Sequence, residues 1–171
     1  MPRIDVKTIG SAEYAYFNNC INYVAKADHC IKGYIGATNW YLSPYREEHV
    51  PLLMKHIENI RNFYGKHDTR LGIHVVVTFS PEEQAYLSRK SVLEIGYYLA
   101  QSEFTNCMTY FAVHDNTELI HIDILIIPID VYTGKMYACG KAGWNCIELK
   151  LKAFLQNYIP KSMIGSFQVA Y

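Results

Sequence analysis

Residues 113–127 read Val-His-Asp-Asn-Thr-Glu-Leu-Ile-His-Ile-Asp-Ile-Leu-Ile-Ile, and three of them are of types that do chemistry together. Side chains two apart on a β-strand leave the same face. His121 and Asp123 therefore project together, while Ile120, Ile122, Ile124 and Ile126 take the other side. His114 ends the preceding apolar run, and an antiparallel hairpin through residues 115–119 brings it close to that polar pair. Two imidazoles and one carboxylate, with positions left for water and substrate, suit a divalent cation such as Mg²⁺ or Mn²⁺. The competing reading of each residue is a solvated side chain on the wet face of an antiparallel sheet, and spacing alone leaves both readings open.

The elements that must position these residues follow from periodicity. Residues 11–27 have few breakers and read as a first helix, with Tyr16, Cys20, Tyr23 and Ala27 stacked along one face at spacings of three to four. Residues 32–41, with Gly33, Gly36 and Asn39, read as loop or short irregular strand. Ser43-Pro44 marks a helix start, and Val50, Leu53, Met54, Ile57, Ile60 and Tyr64 continue at helical spacing to Gly65. Residues 71–79 read as a strand carrying His74. Ser80-Pro81-Glu82-Glu83 opens a helix with a capping box, expected to run to about Ser102. Strands are expected over 107–113 and 119–129, a turn at Thr133-Gly134, a short strand over 135–139 and a last helix over 143–158. The tail after it, 158–171, is left as strand or partner-binding segment. Strands joined by a short loop pair antiparallel, so the expected class is α+β, a central antiparallel sheet flanked by helices in a sandwich.

Composition narrows the class without choosing the function. The 171 residues are the size of one domain, with no linker or repeat to divide them, and 1–171 is read as a single unit. Half are apolar and 19% are charged, which excludes intrinsic disorder. No apolar run approaches the roughly 20 residues that span a bilayer. The N-terminus carries no apolar signal core either, so the expected place is the cytoplasm, away from membranes. The five cysteines are odd in number and share no CxxC spacing, which reads as reduced thiols rather than a disulfide framework or zinc ribbon. Sixteen basic residues balance sixteen acidic ones, so net charge lends no support to a phosphate-binding surface. The 15 tyrosines can stack on unpaired bases, but they also fill cores and interfaces.

The polar stretch also resembles a known motif. His114, six residues, His121, one residue and Asp123 is similar to the third motif of plasmid and conjugative-element relaxases, the histidine–hydrophobic–histidine nucleases (HUH nucleases), where a histidine precedes His-x-His at the start of an apolar strand. Other features follow in matching order over residues 12–158. Ile73 to Glu83 resembles the second motif, a histidine-bearing strand running into Ser-Phe-x-Pro-Gly-Glu. Thr133-Gly134-Lys135 with Tyr137 resembles a Gly-Lys-x-Tyr turn, and Ile21-Asn22-Tyr23-Val24 resembles the Ile-x-Tyr-Ile that holds the nucleophilic tyrosine. The resemblance implies a relaxase fold and a site- and strand-specific nick in single-stranded DNA at a transfer origin, during conjugation or mobilisation of a plasmid or other mobile element. It implies Tyr23 as nucleophile, leaving a 5′-phosphotyrosyl intermediate, and His114, His121 and Asp123 as holders of Mg²⁺ or Mn²⁺. His74 is a possible supporting residue and Tyr16 the reserve nucleophile. Accessory transfer proteins are implied as further partners.

The chain departs from that pattern at named positions. Asp123 stands where the family has the last histidine, Glu82 where it has glycine, and Ala25-Lys26-Ala27-Asp28 where a Lys-Thr follows the tyrosine. Two alternatives therefore stand beside an active nuclease: a non-catalytic relaxase-like module that binds DNA or a transfer-complex partner, and an unrelated α/β domain with incidental histidines. The distance from Tyr23 to the histidine group separates the last of these from the others.

Overall fold

A computed structural model describes residues 2–25, 30–39, 50–138, 141–160 and 168–170. Among these described residues six strands form one sheet: β1 (Arg3–Ile9), β2 (Cys30–Thr38), β3 (Gly72–Thr78), β4 (Cys107–His114), β5 (His121–Asp130) and β6 (Gln168–Ala170). Their order is β2-β4-β5-β3-β1-β6, antiparallel throughout except that β6 lies parallel to β1. The helices are α1 (Tyr14–Ala25), α2 (Val50–Phe63), the short α3 (Pro81–Gln84), α4 (Arg89–Ser102) and α5 (Lys141–Leu155). The class is α+β, an antiparallel sheet flanked by helices.

Alternation along the central strands builds two cores. Ile122, Ile124 and Ile126 of β5 join Val92, Ile95 and Leu99 of α4 and Ile147, Leu151 and Leu155 of α5 on one face. Leu125 and Ile127 face the other way, into a cluster with Phe17, Cys20, Ile21 and Val24 of α1 and Leu53 and Ile57 of α2. Helices on both faces explain why β4 is buried along its whole length and β5 along all but its last residue, an apolar pattern otherwise typical of two-sided sheets. His121 and Asp123 share the parity of Leu125 and Ile127, so the fold places them beneath α1.

Most of the expected elements appear, with differences that have physical causes. The strand β1 was not anticipated: Ile4 and Val6 alternate into the core, but Arg3, Asp5 and Lys7 between them mask a segment near the sheet edge. Of the two readings for the segment after the first helix, the strand is the one found: it runs over residues 30–38 and carries a register shift between Cys30 and Ile35. Gly36 in that strand and Gly96 in α4 meet the buried Phe111 ring, where an added Cβ would lie 2.3 Å from a ring carbon in each case. These glycines serve close approach. The helix expected from Ser80 to Ser102 is two helices. The capping box at Ser80 and Glu83 is present, with Glu83 Oε2 accepting the Ser80 N–H at 2.8 Å, but Ser88 caps a second start by accepting the Ser91 N–H at 3.0 Å. The first helix begins with a 3₁₀ turn at Ser11–Glu13, and the last runs over Lys141–Leu155. Of the strand expected at 135–139, Met136 bridges Ile129, with the Asp130 N–H donating to the Lys135 carbonyl and the Tyr137 N–H to the Pro128 carbonyl, and Cys139 lies outside the described residues. The Ser43-Pro44 helix start also lies outside them. The turn at Thr133-Gly134 is present, with Asp130 Oδ1 accepting the Tyr132 and Thr133 N–H groups and Gly134 at φ 68°. Among the described residues no helix is long and apolar enough to cross a membrane.

The contact of Gly96 with Phe111 yields a stability prediction. Phe111 is fully buried and its ring is braced edge-on by Tyr97 at 4.8 Å between centroids, so it has nowhere to retreat. Gly96→Ala should therefore destabilise the protein by about 1–3 kcal/mol through overpacking, despite alanine's better helix propensity. Urea unfolding monitored by circular dichroism measures this; a midpoint equal to or above wild type would mean that the ring yields.

Candidate active site

The site is built where three strands end together under α1. The β4–β5 pairing sets His114 directly opposite His121 and Ala112 opposite Asp123. The β3–β5 pairing sets Val76 opposite Asp123 and His74 opposite Leu125, so His74 reaches Asp123 diagonally. His114, His121 and Asp123 are all buried, at 0%, 8% and 3% exposure, and their ligand atoms lie within 4.8 Å of one another.

The short loop 115–120 orients His121. Its Nδ1 lies 3.0 Å from the Leu119 carbonyl, which can only accept, so Nδ1 donates there and the ring turns Nε2 toward Asp123. That Nε2 is 3.5 Å from Asp123 Oδ2, and His114 Nε2 is 3.7 Å from the same oxygen. Asp123 Oδ2 is buried and accepts no hydrogen bond from the described residues. A buried carboxylate oxygen without a donor is costly unless a cation faces it, by about 1–3 kcal/mol or more. The donor set of two imidazole nitrogens and one carboxylate oxygen fits a divalent metal ion, and these three residues could hold one.

His74 stands behind them. Its Nε2 donates to Asp123 Oδ1 at 2.7 Å, and its Nδ1 lies 3.9 Å from Cys20 Sγ. Burial by itself pulls its pKa down, and hydrogen bonding to Asp123 and then to Cys20 more than reverses this, raising it to about 9. The hydrogen bond to Asp123 thus favours the protonated form of His74 despite its burial.

Helix α1 brings both candidate tyrosines. Tyr23 stacks on His114, ring centroids 4.9 Å apart and planes 7° from parallel, and His114 in turn stacks on His121 at 5.4 Å. Asn116 Nδ2 donates to the Tyr23 phenol oxygen at 3.2 Å. Tyr16 lies about two turns earlier on the same helix. Burial first, then Cys20, then the charges of Glu13 and Asp123, push its phenol up to about 12, and Lys7 Nζ sits 3.5 Å from its ring centroid. Cys20, Asn116 and Thr117 complete the surroundings, Thr117 Oγ1 donating to the Leu119 carbonyl. Sequence reasoning did not single out Asn116 or Thr117 as site residues; the signal available was their place in the hairpin joining two ligand-bearing strands.

All five expected site residues, with the reserve Tyr16, therefore lie in one region of the fold. Residues 32–158 match the nuclease domain of MobA/VirD2-like relaxases. The chain belongs to that family. Solved structures share the fold of this relaxase domain. One, reported as the "Molecular Basis of Vancomycin Resistance Transfer in Staphylococcus aureus", is similar at a TM-score of 0.61 and 13% identity, covering 99% of this chain and 97% of that chain. The MobM relaxase domain, bound to plasmid pMV158 oriT DNA in a Mn-bound crystal structure, is similar at 0.57 and 11% identity, covering 91% of this chain and 85% of that chain. A second Mn-bound MobM structure at pH 5.5 is similar at 0.56 and 9% identity. A comparison with curated protein sequences finds no match. The family match begins at residue 32, so Tyr16, Cys20 and Tyr23 stand outside it.

A metal bound to the folded state alone adds stability by mass action, about 2.7 kcal/mol at a hundred times its dissociation constant. Thermal unfolding of this relaxase domain should therefore shift upward with Mn²⁺ and return with EDTA. The shift should be lost in Asp123→Ala and His121→Ala; an equal shift in all three proteins would place the metal elsewhere.

Proposed function

We propose that this relaxase domain nicks single-stranded DNA at a transfer origin by attack of Tyr23 on a phosphodiester, working in the cytoplasm as one domain over residues 1–171. The observation that carries the reading is the stack of Tyr23 on His114, which puts a phenol beside a buried group of three potential metal ligands. The MobM domain bound to oriT DNA supports the substrate class, since it shares the fold.

The chain's own residues have distinct parts. His114, His121 and Asp123 would hold Mg²⁺ or Mn²⁺; such an ion, when bound, stabilises the charge that builds on phosphoryl oxygens and orients the scissile phosphate. Asn116 fixes the phenol oxygen of Tyr23 from the loop, and the His114 ring fixes its plane. The Tyr23 oxygen bonds to phosphorus as the bond from phosphorus to the 3′ oxygen breaks, so a 5′-phosphotyrosyl ester forms and a 3′ hydroxyl departs. One ester replaces another, which keeps the strand available for rejoining. An ordinary phenol has a pKa of about 10 and must lose its proton to react. Tyr16, whose phenol burial pushes up to about 12, is kept as the reserve nucleophile. His74 holds Asp123 in place, and accessory transfer proteins would present the origin as a single strand.

The test is a covalent adduct. Purified protein is incubated with Mn²⁺ and 5′- and 3′-labelled single-stranded oligonucleotides tiling the DNA around its own gene, then run on denaturing protein gels. A labelled adduct should appear, vanish with EDTA and with Tyr23→Phe, and persist within a few fold in Tyr16→Phe. The opposite pattern of the two variants would move the nucleophile to Tyr16. Oligonucleotide binding with no adduct under any metal would favour a non-catalytic relaxase-like module, the reading left open by an aspartate in the family's last histidine position.

A further inference from the structure

The two oxygens of Asp123 are treated differently. Oδ1 accepts the His74 Nε2–H at 2.7 Å, whereas Oδ2 accepts nothing among the described residues and lies 3.5 Å and 3.7 Å from the Nε2 atoms of His121 and His114. His74 comes from β3, a strand that adds no atom to the potential ligand group, and its side chain is largely buried at 13% exposure. Its ring is braced from the far side by Cys20 on α1, Sγ to Nδ1 3.9 Å. The imidazole therefore has a fixed partner on each nitrogen. A carboxylate clamped in this way has one lone pair of Oδ1 engaged and its plane fixed, and it turns Oδ2 as the open oxygen toward the two histidines.

That difference matters for which cation fits. Mg²⁺ prefers an octahedral shell at about 2.0–2.1 Å with carboxylates contributing single oxygens, and Mn²⁺ suits the same oxygen ligands and adds affinity for imidazole. Ca²⁺ is larger, takes 6–8 oxygens and commonly uses both oxygens of a carboxylate. We propose that His74 is a positioning residue that makes Asp123 a one-oxygen ligand and thereby sets the preference of the site for Mn²⁺ over Ca²⁺. The inference rests on the reading of His114, His121 and Asp123 as the metal ligands. It also accounts for an aspartate at this position: clamped by His74, it presents one open ligand atom toward His114 and His121, as an imidazole would.

Direct titration of the purified chain with Mn²⁺ and with Ca²⁺ by calorimetry tests this without any nicking assay. His74→Ala should weaken Mn²⁺ by about 10–100-fold, the usual effect of removing a group that orients a ligand, while Ca²⁺ binding holds or tightens. The selectivity ratio then narrows. His74→Gln, whose side-chain amide N–H reaches the same oxygen, should recover most of the wild-type ratio. An unchanged ratio in His74→Ala, or equal losses for both metals in Ala and Gln variants, would overturn the positioning role. Nuclear magnetic resonance of ¹⁵N-histidine in the wild-type protein gives an independent reading that needs no variant. On adding Mg²⁺ the His74 Nε2–H should persist; its loss would mean that His74 is itself a ligand and would overturn the proposal. Failure of the underlying reading looks different: Asp123→Ala would then bind both metals as the wild type does.

Discussion

A carboxylate buried beneath a helix is the constraint around which this domain is arranged. Asp123 lies in the central strand of a sheet covered on both faces, where water cannot solvate it. A lone ionised group there is untenable unless hydrogen bonds or opposite charge compensate it. The surrounding sequence supplies that compensation at one oxygen through His74 on β3, while His121 on β5 itself and His114 on β4 bring their Nε2 atoms toward the other. Only one of these contacts is a short hydrogen bond, and the remaining oxygen is left facing two imidazoles at distances too long for good hydrogen bonds. The polarity is concentrated, and it points inward at a shared space.

The same burial dictates what covers the site. Helix α1 packs Phe17, Ile21 and Val24 on the apolar part of the sheet, and the residues beside them on that helix are Tyr16, Cys20 and Tyr23. Each is amphipathic enough to lie against a core and still address a polar group. Spacings of four and three residues stack the three along one face of the helix. Cys20 meets His74, and Tyr23 meets His114 face to face. Most of the groups around the site sit on strands and a helix, with only residues of the 115–120 loop added, and rigid elements hold a reacting geometry better than loops do.

Some of this was legible from residue order. Period-two alternation after Ile120 decided that His121 and Asp123 share a face, because a strand admits no other arrangement. The short polar stretch between two apolar runs decided that His114 returns opposite His121, since a loop that short forces antiparallel pairing. The capping box at Ser80 and Glu83 and the turn at Thr133-Gly134 were likewise local chemistry, readable without neighbours. Where local signals conflicted or faded, the reading failed: Ser88 was overlooked inside an apparently continuous helix, and the charged residues of β1 hid a strand whose partner lies more than sixty residues away in sequence.

Tertiary structure alone decided the rest. Nothing in the chain near His74 says that its imidazole will reach Asp123, because the two meet only through the registers of β3 against β5. Nothing near Tyr23 says that it will stack on His114 or meet Asn116, since helix and hairpin lie some ninety residues apart in sequence. Sequence by itself determined which side chains share a face of one element, a matter of backbone period. Which faces meet, and which oxygen of Asp123 is left open, depend on packing across the sheet, where the contacts are long-range and the period carries no information.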